Sequence, residues 1–277
     1  MANADVPAGS EVLRTFWALG DKTTQRTWVA FENGELGKRL PQTLSALGDA
    51  LVALDRASSC GWGCHGGEHV LEHMLGTVVS SSSAACRLMF CGAYDEALIL
   101  VRTIGETCNL LYLFALDKDA HDAWAAKSVP SQRFKVFRPK AVQERLKALG
   151  AIPPINRDTY GKLSEFTHGT KAHGPQAAFN PIGLPVFGVY QQAGPTVILN
   201  ELALAVGFSG YVVHRTLGLP AEGTQLLEQT TTRLIESIGN ASLSGLAPVL
   251  AQIRDSADFE KELPSEQPSS RTPKSGD

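Results

Sequence analysis

The chain has no run of about 18 uncharged apolar residues, the length a helix needs to cross a bilayer. Its best apolar stretch is interrupted by Arg102 and Glu106. The opening residues, MANADVPAGSEVLRTF, lack the basic start and apolar centre of a signal peptide. These two absences predict a cytoplasmic chain that does not enter a membrane. Positive charge is not in excess either. With 25 Lys and Arg against 28 Asp and Glu, the formal net charge is −3, so nothing draws the whole molecule toward nucleic acid. The five cysteines, Cys60, Cys64, Cys86, Cys91 and Cys108, are odd in number, and several sit within helical patterns. That arrangement excludes a secreted disulfide framework and predicts reduced thiols. Also missing are a P-loop, a G-x-G-x-x-G turn, a G-x-S-x-G elbow, a C-x-x-C pair and an H-E-x-x-H helix.

What is present is helical periodicity. Glu35 to Arg56 places Leu40, Leu44, Leu47, Leu51 and Leu54 at three- and four-residue spacing, with Pro41 near its start, where proline is tolerated. After the glycine-rich break CGWGCHGG, a helix is predicted from about Glu68 to Phe90, and Gly92 separates it from a second, antiparallel one ending near Asp117. Shorter helices follow at His121 to Lys127, Pro139 to Leu149 and Thr159 to about His168, the last capped by Asn156 or Asp158. Two more are predicted at about Asn200 to Leu217 and Glu222 to Ser237. Pro185 to Tyr190 and Thr196 to Leu199, separated by QQAGP, read as a small β-hairpin. The fold class is therefore mainly α: one helical-bundle domain over residues 1–254, with a β-hairpin excursion at about 185–199. A disordered tail, rich in Ser, Pro, Glu and Lys, is predicted at 255–277.

Three groups of residues are candidates for chemistry. The helix from Gly92 to Asp117 is apolar nearly all round, which predicts burial. Asp95, Ile99, Arg102, Glu106, Asn109 and Leu113 form a stripe along it. Charge in such a place needs a partner or a task, so Arg102 and Glu106, with His168 from the later THG sequence, are candidate catalytic or structural residues. The second group is Cys64, His65, His69 and His73, next to Cys60. Thiolate and imidazole suit zinc, but the spacing gives no complete ligand set, and Glu68 and Glu72 read as a solvated face. No metal or other cofactor is expected. The third group is Lys171 and His173, which with His168 form a loop suited to an anionic ligand. A basic segment from Arg133 to Lys147 reads as a solvated helix face, leaving nucleic-acid binding open.

The pattern Ala97, Leu98, Leu100, Arg102 and Glu106, followed by Tyr160, Ser164, His168 and Gly169, resembles several bacterial helical-bundle families. In general shape these are similar to the HEPN (higher eukaryotes and prokaryotes nucleotide-binding) class, whose active members are often ribonucleases. The resemblance covers roughly Phe90 to Thr170. Active members carry an Arg followed four to six residues later by His, and no Arg of this chain has that neighbour. The resemblance thus implies a degenerate, non-enzymatic module. Such a module forms homo-oligomers or binds a protein partner in a stress or phage-defence setting. The alternative is a hydrolase of nucleic acid or phosphoesters using Arg102, Glu106 and His168, or a metal-dependent one using His65, His69 and His73.

Overall fold

The computed structural model describes residues 10–63, 69–126, 129–167 and 188–238. Among them are ten helices and no strand: α1 Ser10–Glu32, α2 Arg39–Ser58, α3 Val70–Phe90, α4 Tyr94–Leu116, α5 Lys118–Ala125, α6 Pro130–Phe137, α7 Pro139–Ala148, α8 Arg157–Thr167, α9 Ala193–Thr216 and α10 Ala221–Ile238. Buried apolar side chains from Phe31 to Ile238 form one contiguous cluster. Helices α2, α3, α4, α9 and α10 pack on one another around it. Helices α5, α7 and α8 cover the remaining side of α4, and α1 lies against α3. This double coverage explains the apolar circumference of α4. Both α4 and α9 are long and apolar enough to span a membrane, and both are core helices here.

Local sequence accounts for most of the helix ends. Pro130 and Pro139 occupy the first position of α6 and α7, where a missing N–H costs nothing. Asp117 caps α5 by accepting from the Ala120 N–H at 2.9 Å, and its second oxygen accepts from Arg145 Nε at 2.9 Å. That pairing ties α5 to α7. Asn156 Oδ1 accepts from the N–H groups of Asp158 and Thr159, so the cap predicted for α8 is formed by Asn156.

Two sequence readings change. Thr196 to Leu199, taken for a strand, belongs to α9, because the AGP that looked like a turn supplies that helix's first turn, where Pro195 fits without breaking a hydrogen bond. Of the other proposed strand, residues 185–187 lie outside the described residues, and Gly188 to Tyr190 are irregular. The tail at 255–277 lies outside them as well. Helix α1 has no counterpart in the sequence reading. Its buried face is built mostly from small residues, Gly20, Thr23, Thr27 and Ala30, with Phe31 as its one large apolar member among the described side chains. Thr27 donates to the Phe90 carbonyl at 3.1 Å and Thr23 to that of Gly188, so hydroxyls do the work that leucines do elsewhere.

Candidate functional site

The polar stripe of α4 meets α8 and the segment leading into it. Arg102 Nε donates to Glu106 Oε1 at 2.9 Å. Arg102 Nη2 donates to the Tyr160 hydroxyl, and the guanidinium carbon stands 4.6 Å from the centre of the Tyr160 ring. The cation is thus held edge-on by a carboxylate and face-on by an aromatic ring from another helix. The pair, expected to be buried, is only partly so. The side chains of Arg102 and Glu106 keep 17% and 32% of their exposure, because α8 is short and covers only one flank of α4. The third proposed member, His168, lies outside the described residues, as do Lys171 and His173.

One turn further along the stripe, Asn109 is buried and makes a two-point contact with a single residue. Its Nδ2 donates to the Ile155 carbonyl at 2.8 Å, and its Oδ1 accepts from the Ile155 N–H at 3.0 Å. Gln143 of α7 donates to the same carbonyl at 3.3 Å. The breaker GAIPPIN is thereby fixed to α4, which places Asn156 to cap α8 and Tyr160 to reach Arg102. Asn109 was visible as a member of the stripe. The partner it holds was not, because a peptide group carries no sequence signal.

A second site lies between the end of α2 and the start of α3. An open cleft of ≈ 610 Å³ is lined there by Cys60, His69, Glu72 and His73, among others. Cys60 Sγ is 3.8 Å from His69 Nδ1, which is 3.5 Å from Glu72 Oε1. His69 thus faces Cys60 and Glu72. His69 is the residue before α3 and has a left-handed backbone, so it and His73 line the cleft without sharing a helix face. Glu72, read as part of a solvated face, is 6% exposed. Cys64 and His65 lie outside the described residues.

Part of the basic segment is paired, while Lys135, Arg138 and Lys147 are exposed. Arg133 stacks at 4.1 Å on the Trp124 ring, Arg145 pairs with Asp117, and Lys140 lies 3.8 Å from Glu144. Phe137 is buried while Phe134 is exposed, as on one side of a surface helix pair. No family model, no curated protein and no solved structure matches the chain. What fold and site define is a mainly α-helical bundle with two polar clusters, one between α4 and α8 and one between α2 and α3.

Proposed function

We propose that the chain is a non-enzymatic, degenerate HEPN-like module that works by association, first of all with a second copy of itself. The observation that carries this reading is the first half of α1. Leu13, Trp17 and Leu19 are 53%, 64% and 41% exposed there, and every described side chain from Glu11 to Leu19 faces solvent. Tryptophan and leucine in such a setting supply the apolar anchors on which interfaces depend, and an isolated amphipathic helix gains most from pairing with its equal. The way Arg102 is used supports the non-enzymatic part. Its two named donors and its flat face are spent on Glu106 and Tyr160, which fits a lock between helices better than a cation waiting for a phosphate. The burial of α4 and α9 in the core fits a cytoplasmic chain that stays out of the membrane.

Light scattering coupled to size exclusion tests the proposal. Wild type is expected to elute as a dimer and Trp17→Glu as a folded monomer. A wild type that remains monomeric at high micromolar concentration would remove the reading. A second reading, metal-dependent hydrolysis, is favoured by the cleft into which both His69 and His73 open. Cleavage of a phosphoester by purified protein, abolished by a chelator, would put it first.

A further inference from the structure

We propose that Cys60, His69 and Glu72 bind a divalent metal ion of the zinc class, independently of the association reading. Their ligand atoms, Sγ, an imidazole nitrogen and a carboxylate oxygen, all lie within 4.8 Å of one another. Two ligands held about 2.0–2.3 Å from one tetrahedral zinc stand roughly 3.3–3.8 Å apart. The separations of 3.8 Å from Cys60 to His69 and 3.5 Å from His69 to Glu72 fall in that interval. Two of the three separations thus already match those between corners of a coordination tetrahedron, and the third, from Cys60 to Glu72, is within 4.8 Å.

The carboxylate supplies a second, separate argument. Glu72 is 6% exposed, and its Oε1 makes no hydrogen bond, its nearest polar neighbour being His69 Nδ1 at 3.5 Å. A buried carboxylate oxygen left without a donor is costly, and a cation bound in the cleft would remove the cost. Its place in the first turn of α3 gives it a favourable helix dipole, but a dipole does not satisfy a lone pair.

The backbone is built around the same point. Helices α1, α3 and α7 each end with a left-handed glycine, Gly34, Gly92 and Gly150, followed by a hydrogen bond back to the carbonyl five residues earlier. Helix α2 ends in the same way, with Gly61 N–H donating to Arg56 O at 2.7 Å, yet its left-handed residue is Cys60, at φ 57°. His69, at φ 53°, is the other non-glycine residue of positive φ among those described. Both strained positions thus carry candidate ligands, and the strain aims them at one cleft. Trp62 holds the turn in place. Its ring fills the space a side chain would need at Gly223 of α10, and Arg56 stacks over it at 5.2 Å.

Thiolate, imidazole and carboxylate together suit zinc, with cobalt as its spectroscopic substitute. Glutamate and a thiolate would balance the ion's two positive charges, and three protein ligands leave a fourth position for water or a small anion. The ion would also fasten the end of α2 to the start of α3, on either side of the glycine-rich turn.

The test uses full-length, tag-free protein, stripped with chelator and titrated with cobalt(II) under reducing, anaerobic conditions. One cobalt per chain is expected, with a near-ultraviolet thiolate-to-metal charge-transfer band, the visible bands of a four-coordinate ion, and displacement by zinc. Cys60→Gly is the informative variant, because glycine suits that backbone and circular dichroism should show an intact fold. It is expected to lose the charge-transfer band. Loss of an outer-shell partner already costs about 10–100-fold in affinity, so loss of this ligand should cost at least about 100-fold. Glu72→Gln should weaken binding while keeping the band, and His73→Ala should change neither. No cobalt uptake by wild type overturns the proposal, as does a charge-transfer band that survives in Cys60→Gly.

Discussion

A buried amide paired with a peptide group has no water to fall back on, and Asn109 is in that position. Removing its side chain leaves both the N–H and the carbonyl of Ile155 short of a partner in the core, with only the longer bond from Gln143 remaining. Asn109→Ala is therefore expected to cost about 2–3 kcal/mol of stability. Arg102→Ala should cost only about 1 kcal/mol, because Arg102 and Glu106 are partly solvated and water can replace what is lost. Urea denaturation of the two variants checks the order. A larger loss from Arg102→Ala would mean that the ion pair, and not the amide, fastens α8 to α4.

Between elements, one of the tightest approaches involves Tyr94 at the head of α4 and Gly194 in the first turn of α9. A β-carbon added at Gly194 would lie 2.5 Å from the Tyr94 ring, which is fully buried and tied by its hydroxyl to Gln191. The ring cannot move aside without breaking that tie. Gly194→Ala is expected to destabilise by about 1–3 kcal/mol through overpacking. Gly48, within α2, has nothing within 4 Å of such a carbon. Gly48→Ala should stabilise by about 0.5–1 kcal/mol, since alanine favours the helix and reduces the freedom of the unfolded chain. Thermal melts of the pair separate close packing from helix propensity. Equal shifts in one direction would show that the α4–α9 contact is looser than described.

At the scale of the whole molecule, two ionisable groups of the shared core have strongly raised pKa values. Burial pushes the Cys108 thiol from an ordinary 9.0 up to about 12, opposed by a hydrogen bond with Ser209. Burial likewise pushes the Tyr94 hydroxyl from 10.0 to about 12, opposed by its bond to Gln191. A raised value in the folded state means that the folded chain keeps protons which the unfolded chain gives up. The resulting stability is complete below pH 9 and is lost as pH climbs from 9 toward 12. The thermal midpoint is therefore expected to fall steadily across that alkaline range, and Cys108→Ala should flatten the part of the slope nearest pH 9. A midpoint independent of pH there would place both groups in contact with water.

The sequence by itself determined the helices whose apolar residues repeat with the helical period. The leucines of α2, the glycine break between α3 and α4, the Asn156 cap and the all-apolar α4 were each legible, because each depends on residues within a turn or two of one another. Only the tertiary structure decided the rest. Helix α1 was hidden because most of its packing face is threonine, glycine and alanine with Phe31 alone as a large apolar residue, and the role of the threonines appears only once the Phe90 and Gly188 carbonyls stand opposite. Thr196 to Leu199 favour a strand locally, and burial against α4 makes them helix. At the α4–α8 cluster, the sequence marked Arg102, Glu106 and Asn109, while the fold supplied Tyr160 and the Ile155 peptide as their partners. At the α2–α3 cleft, it grouped His69 with Cys60, Cys64, His65 and His73 and left Glu72 to a solvated face, and the fold brought Glu72 to Cys60 and His69. Periodicity reports which face of a helix is apolar. Which polar atoms share a cleft depends on how a turn closes over a neighbouring helix, a matter of long-range packing that no local spacing records.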